Sequence, residues 1–188
     1  MSEVVKKKRS LTPLLMVVVF VLPVILAKLA LDNDWFNKAS TNRGELLPEG
    51  LELTQVDATL QPKWRILYRL PQYCDEQCEN ALYSMQQIWL ALGKESDRVE
   101  PLVWADENSD QAKVNTLSEQ DLLKVLDTHQ QNVKKVFKDV PADGIFLVDT
   151  LGNIVLRYPT ALEQQQAVMQ SRDILADLRK LLKLSRIG

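Results

Sequence analysis

The sequence predicts an α/β fold in which a central mixed sheet carries helices on both faces, preceded by one N-terminal transmembrane helix. The chain has 188 residues, which is enough for one buried core. Short apolar runs alternate with longer segments of helical period, and a stretch without charged residues lies near the N-terminus. The predicted order after that stretch is strand, helix, strand, helix, strand, strand, helix.

The charge-free stretch covers residues 11–27, and its continuation past Lys28 to residue 31 gives about the 20 residues that a spanning helix requires. A basic cluster at residues 6–9 precedes it. The positive-inside rule then predicts that residues 1–10 are cytoplasmic and that the C-terminal domain lies in the periplasm, at a bacterial inner membrane. A signal peptide cleaved after Ala27 is the alternative interpretation.

The remaining residues divide into a tether with an edge strand, residues 32–62, and a folded domain, residues 63–188. The edge strand is predicted at residues 51–56. Apolar periodicity places the strands of the domain at residues 63–70, 98–105, 145–148 and 154–158. The same criterion places its helices at residues 75–92, from Thr116 or Ser118 to Phe137, and at residues 162–184.

The charge of the chain argues against nucleic acid as a partner. From residue 32 onward there are 24 acidic and 18 basic residues. Nucleic-acid binding relies on clustered cations that contact phosphates, and this part of the chain is acidic. We therefore expect the partners to be the membrane and other proteins.

Cys74 and Cys78 are the only cysteines, and they lie between a predicted strand and a predicted helix. With Cys78 in the first helical turn, a modest backbone adjustment brings the two Cβ atoms within the roughly 4 Å that a disulfide requires. The helix N-terminus favours a thiolate, whereas the carboxylates of Asp75, Glu76 and Glu79 oppose it. The pair is therefore a candidate redox site, and a structural disulfide without turnover is the alternative.

The order of elements matches a thioredoxin-like fold, and several segments resemble the Sco/SenC family. These are Tyr73-Cys-Asp-Glu-Gln-Cys78, the segment at residues 144–153 (GIFLVDTLGN), the N-terminal apolar stretch and the leucine-rich last helix. Proteins of that family are membrane-tethered copper chaperones and thiol reductants that assist cytochrome c oxidase assembly. The resemblance implies a thiol–disulfide oxidoreductase in which Cys74 attacks and Cys78 resolves. Its partner would be an oxidase subunit or another thiol protein.

The sequence departs from this family at the copper site. The family histidine lies four residues ahead of the position of Ile145, and this chain has Pro141 there. Copper(I), the cofactor that the family implies, would be held by the soft thiolates of Cys74 and Cys78. A copper(I) carrier that uses this pair, and a non-catalytic assembly factor with a structural disulfide, are the two alternative functions.

Three further residues have their own interpretations. His129, the only histidine, falls on the apolar stripe of the predicted middle helix and is predicted to be a partly buried core residue. Met85 is predicted to pack in the core. Pro141 is a candidate for the substrate groove as a cis proline against the cysteines, and a plain loop proline is the alternative.

Overall fold

The computed structural model describes residues 12–32, 42–48, 50–57, 61–138 and 140–185. The chain forms two compact units, Met1–Thr41 and Asn42–Gly188. In the first unit, helix α1 spans Thr12–Asp32, and the side chains from residue 15 to residue 29 are exposed. Within the described residues, no helix combines the length and the apolar character that crossing a membrane demands. The helix predicted here is present, and its role as an anchor stays a prediction.

The second unit is built on one six-stranded sheet with the strand order β1-β6-β5-β2-β3-β4. Its strands are β1 (Glu45–Leu46), β2 (Trp64–Arg69), β3 (Val99–Asp106), β4 (Lys124–Thr128), β5 (Ile145–Val148) and β6 (Ile154–Tyr158). Strands β2, β3 and β4 are parallel, whereas β5 pairs antiparallel with both β2 and β6. Its α-helices are α2 (Glu76–Leu92), α3 (Gln111–Ser118), α4 (Gln130–Phe137) and α5 (Gln164–Leu184). This confirms the α/β thioredoxin-like class.

The core consists of two hydrophobic clusters, because side chains alternate between the two faces of each strand. On β2, Ile66 and Tyr68 join one cluster with Met85 of α2 and residues of α3 and α5. Leu67 joins the other cluster, which contains Phe137 of α4 and residues of the segment before β2. The buried position of Met85 confirms its predicted role in packing.

The edge strand predicted at residues 51–56 is wrong. This segment forms a 3-10 turn at Leu53–Gln55, and β1 at Glu45–Leu46 is the strand that pairs with β6. Leu51 and Leu53 are both buried in this turn. Their spacing of two residues therefore fits a tight turn as well as a strand. The amide of Leu53 donates to the carbonyl of Gly152 at 2.8 Å, which holds the turn on the β5–β6 hairpin.

The single long helix predicted up to Phe137 is also wrong, because helix α3, strand β4 and helix α4 share that region. His129 has an extended backbone at the N-cap of α4, and its side chain is 86% exposed. Its Nδ1 lies 3.4 Å from Oε1 of Glu107. The prediction of a partly buried core histidine is therefore wrong, since the residue does not lie on a packed helical stripe.

Candidate redox site

The structure joins Cys74 and Cys78 in a disulfide, with their Cα atoms 5.1 Å apart. Cys74 lies in the loop after β2 and is half-buried, whereas Cys78 lies in the first turn of α2 and is only 1% exposed. The predicted proximity of the two sulfurs is confirmed. Cys74 is the more exposed residue of the pair.

The disulfide geometry depends on how α2 begins. Asp75 has the extended backbone of an N-cap residue, and its side chain accepts a hydrogen bond from the amide of Cys78 at 3.0 Å. This bond satisfies an amide that lacks a partner within the helix. The cap therefore fixes the turn between the two cysteines, and it does so without involving either sulfur.

A second carboxylate, that of Asp110, holds the cysteine loop from the neighbouring strand connection. Its Oδ2 accepts from the amide of Cys74 at 3.2 Å, and its Oδ1 accepts from the amide of Lys113 at 3.1 Å, which caps α3. The amide of Asp110 donates to the carbonyl of Pro71 at 2.9 Å. The bonds from the amides of Lys113 and Cys74 lower the pKa of Asp110, since they favour its charged form.

The start of the same connection is fixed by buried polar groups. Asp106 is fully buried and forms an ion pair with Arg69 at 2.9 Å. The hydroxyl of Ser109 donates to the carbonyl of Leu70 at 2.8 Å and accepts from the amide of Asp106 at 3.0 Å. Residues 106–110 thus contact the cysteine loop at several points. The two segments are neighbours because they lie at the carboxyl ends of the parallel strands β3 and β2, at one edge of the sheet.

A cleft of about 230 Å³ opens beside Cys78, between the cysteine loop and the segment before β5. Tyr68, Tyr73 and Asp75 line it on the cysteine side, and residues 142–144 line the other side. Burial raises the pKa of Tyr68, the charge of Asp75 raises it further, and the charge of Arg69 opposes the shift. The cleft gives a partner segment a place to lie next to the disulfide.

Pro141 is exposed and precedes the residues that line this cleft. The peptide bonds of the described residues include no cis bond, so Pro141 is trans, as a plain loop proline would be. Gly144 closes the cleft with a φ of +117°, and a Cβ there would lie 2.6 Å from the carbonyl oxygen of Tyr158. The role of Pro141 in a substrate groove stays a prediction.

Comparison with known proteins identifies the fold family. A family model described as "Transmembrane-like, thioredoxin-like, C-terminal domain" matches residues 64–185. The chain belongs to this family. Among curated proteins, none matches the chain.

Several solved structures are similar to this transmembrane-like, thioredoxin-like protein. Copper-bound ScoI from Bradyrhizobium japonicum is 22% identical, with a TM-score of 0.42, over 62% of this chain and 87% of that one. Copper-bound ScoI from Arabidopsis thaliana is 17% identical, with a TM-score of 0.48, over 65% of this chain and 88% of that one. StoA from Bacillus subtilis is 16% identical, with a TM-score of 0.43, over 62% of this chain and 86% of that one. Likeness at this level concerns the fold alone.

The copper(I) site implied by the Sco/SenC resemblance would rest on the two cysteine sulfurs. The described residues contain no group of three or more His, Cys, Asp or Glu side chains arranged to hold a metal ion. The two sulfurs are bonded to each other and become thiolate donors only after reduction. His129 lies beside Glu107 at the end of β4 and does not line the cleft next to Cys78. No step below is therefore assigned to copper.

The supporting residues Asp106, Ser109 and Asp110 were not predicted from the sequence. Their signal was present, because the segment Asp-Glu-Asn-Ser-Asp directly follows a strand that is parallel to the strand before Cys74. The carboxyl ends of parallel strands share one edge of a sheet, where polar loop residues meet. That rule would have placed Asp110 close to the cysteines.

Proposed function

We propose that this protein is a membrane-anchored, periplasm-facing thiol–disulfide exchange protein that acts in cytochrome c oxidase biogenesis. The disulfide at the start of α2, with Cys74 half-buried and Cys78 buried, is the observation that carries the exchange chemistry. The assignment to oxidase biogenesis is supported by the resemblance of residues 73–78 and 144–153 to Sco/SenC proteins. An oxidase subunit or another thiol protein would be the client.

The exchange proceeds in two balanced steps. In the reduced protein, the Cys74 thiolate attacks one sulfur of a partner disulfide, and the other partner sulfur leaves as a thiolate. The Cys78 thiolate then attacks Sγ of Cys74, which releases the second partner thiolate and forms the Cys74–Cys78 disulfide. Two electrons pass to the partner, and a dithiol reductant must return them to Cys74 and Cys78 before the next cycle.

The carboxylates around the cysteines favour the reducing direction. The N-terminus of α2 stabilises a thiolate, but Asp75 at its N-cap and Glu76 and Glu79 in its first turn disfavour one. We infer that the Cys74 thiol is less acidic than a thiol with basic neighbours. Titration of Cys74 in a Cys78→Ser variant tests this inference, and a strongly acidic thiol would contradict it.

The proposed location rests on the N-terminal segment. Residues 11–27 carry no charge, the cluster at residues 6–9 is basic, and the matching family is described as transmembrane-like. Alkaline phosphatase fused to the C-terminus is active only after export, so we expect an active fusion that stays in the membrane fraction. An inactive fusion, or one in the soluble fraction, would contradict the proposed anchor and its orientation.

Trapping of the mixed disulfide tests the proposed chemistry. Replacing Cys78 by Ser removes the resolving thiol, so Cys78→Ser should accumulate partner proteins on Cys74. The matched Cys74→Ser variant should trap none, because the remaining sulfur is buried. If oxidase assembly is unaffected when both cysteines are replaced, the exchange function is wrong and the non-catalytic assembly factor is the better account.

A further inference from the structure

We propose that the partner presents its reactive cysteine within a basic segment, and that the surface around Cys74 selects for lysine and arginine beside that cysteine. This proposal rests on the proposed thiol–disulfide exchange and names the class of partner. Its evidence is the charge balance of the described residues around the cleft, together with one exposed aromatic side chain beside the reachable sulfur.

Carboxylates lie on both sides of the cleft beside Cys78. Asp75 lines it from the cysteine loop, and Asp143 lines it from the segment before β5. Glu76 and Glu79 follow in the first turn of α2, and both are exposed. The N-terminus of α2 offsets part of this charge, but the macrodipole is equivalent to only about half a unit charge.

The cations at this rim are already paired with carboxylates. Arg69 contacts the buried Asp106 at 2.9 Å, and Lys113 forms an ion pair with Glu79. Arg157 donates to Asp143 at 3.0 Å and also contacts Glu45. The carboxylates of Asp75 and Glu76 therefore leave an excess of negative charge that faces an approaching partner.

The residue next to the reachable sulfur adds a second preference for cations. Tyr73 is 77% exposed, precedes Cys74 directly and lines the same cleft. The face of a tyrosine ring attracts lysine and arginine side chains within about 6 Å of its centre. A basic segment would thus gain both from the carboxylates and from the ring, whereas an acidic segment would be repelled.

The test uses the reduced full chain in neutral detergent and two synthetic peptides. Each peptide carries one cysteine in a mixed disulfide with mercaptoethanol, flanked by lysines in one peptide and by glutamates in the other. Reduction by the protein forms the Cys74–Cys78 disulfide and releases peptide thiol, which is followed by chromatography. Reduction of both peptides by dithiothreitol provides the reference, because it measures how each peptide reacts with any thiolate.

After division by the dithiothreitol rates, we expect the lysine peptide to react about tenfold faster at low salt, as electrostatic steering commonly gives. The ratio should fall toward one in about 0.5 M salt, where the Debye length is only a few ångströms. Glu76→Gln and Tyr73→Ala should each lower the ratio. Glu119→Gln, which alters an exposed residue at the other end of α3, should leave it unchanged.

Equal normalised rates for the two peptides, or a ratio of these rates that does not change with salt concentration, would overturn the charge preference. Neither result would contradict the exchange function. If dithiothreitol reduces both peptides and the protein reduces neither, the exchange function and the preference both fail. The two failures are therefore distinguishable in one data set.

Discussion

Reduction of the Cys74–Cys78 disulfide should lower the free energy of unfolding by about 2 kcal/mol and leave the protein folded. The two cysteines are separated by four positions, so the bond closes a very short loop. For a loop of this length, the chain-entropy relation gives about 2 kcal/mol at 25 °C. Domains are typically stable by about 5–15 kcal/mol, so most of the stability should remain.

The contacts around the sulfurs support this expectation, because they do not depend on the bond. Neither the Asp75 cap nor the hydrogen bond from the Cys74 amide to Asp110 involves a sulfur, so we expect both to persist when the sulfurs separate. Cys78 keeps its packing against the buried residues of α2. A redox cycle requires that both states are folded, whereas a purely structural disulfide has no such requirement.

Urea unfolding of the oxidised and reduced full chain, in neutral detergent, measures the difference. The fluorescence of the buried Trp64 and Trp104 reports unfolding, and the midpoint should fall by about 1 M urea. The Cys74→Ser/Cys78→Ser variant controls for the reductant and should show no shift when it is added. A loss above about 5 kcal/mol, or no loss at all, would refute the reasoning from loop length.

Perturbations at three other residues have defined outcomes. Tyr158→Phe removes the hydrogen bond to the buried Asp177 (2.8 Å) and should cost about 2 kcal/mol in urea unfolding; a cost near zero would contradict this role. Burial raises the pKa of Tyr158 above its unfolded value, so stability should fall as pH rises above about 10, and less steeply in Tyr158→Phe. The pKa of Asp110 is lowered by its backbone hydrogen bonds, so its contribution should be lost as pH falls below about 4. The free energy of unfolding of Asp110→Asn should therefore fall less between about pH 5 and about pH 3 than that of the unmodified protein. If the two proteins lose stability in parallel over that range, Asp110 does not make this contribution. Gly144→Ala should cost at least about 2 kcal/mol because a Cβ meets backbone, whereas Gly93→Ala, whose Cβ meets nothing within 4 Å, should cost less; equal costs would exclude a steric cause.

Elements with a clear apolar run or a clear apolar face were predictable from the sequence. The strands β2, β3, β5 and β6 lie within about a residue of their predicted positions, and α2 ends at Gly93 as expected. These segments are buried or amphipathic over most of their length, so their periodicity reflects their packing. The cysteine pair was predictable for the same reason, since it sits between two well-defined elements.

The region from α3 to α4 was not predictable from periodicity. Strand β4 is an edge strand of five residues, with Val125 and Leu126 only half-buried. Its apolar residues fall in phase with those of the short flanking helices, so the whole segment mimics one amphipathic helix. Only the pairing of β4 with β3, a contact distant in sequence, distinguishes the two arrangements.

The buried carboxylate of Asp177 shows a second limit. It lies on the same face of α5 as Ile174 and Leu178, where an apolar residue is expected, and it is fully buried. Besides Lys180 on the same helix, its partners are the amides of Arg43 and Gly44 and the hydroxyl of Tyr158, which lie far away in the sequence. A charged residue on an otherwise apolar helix face indicates that buried hydrogen-bond partners exist. The sequence does not indicate which residues those partners are.

The most direct test of the exchange mechanism is the reaction of each single-cysteine variant with an excess of a neutral aromatic disulfide. Cys78→Ser should form a mixed disulfide on Cys74 at least about a hundredfold faster than Cys74→Ser does on the buried Cys78, because the latter requires local opening of α2. Equal rates, or faster reaction at Cys78, would contradict the assignment of Cys74 as the attacking sulfur.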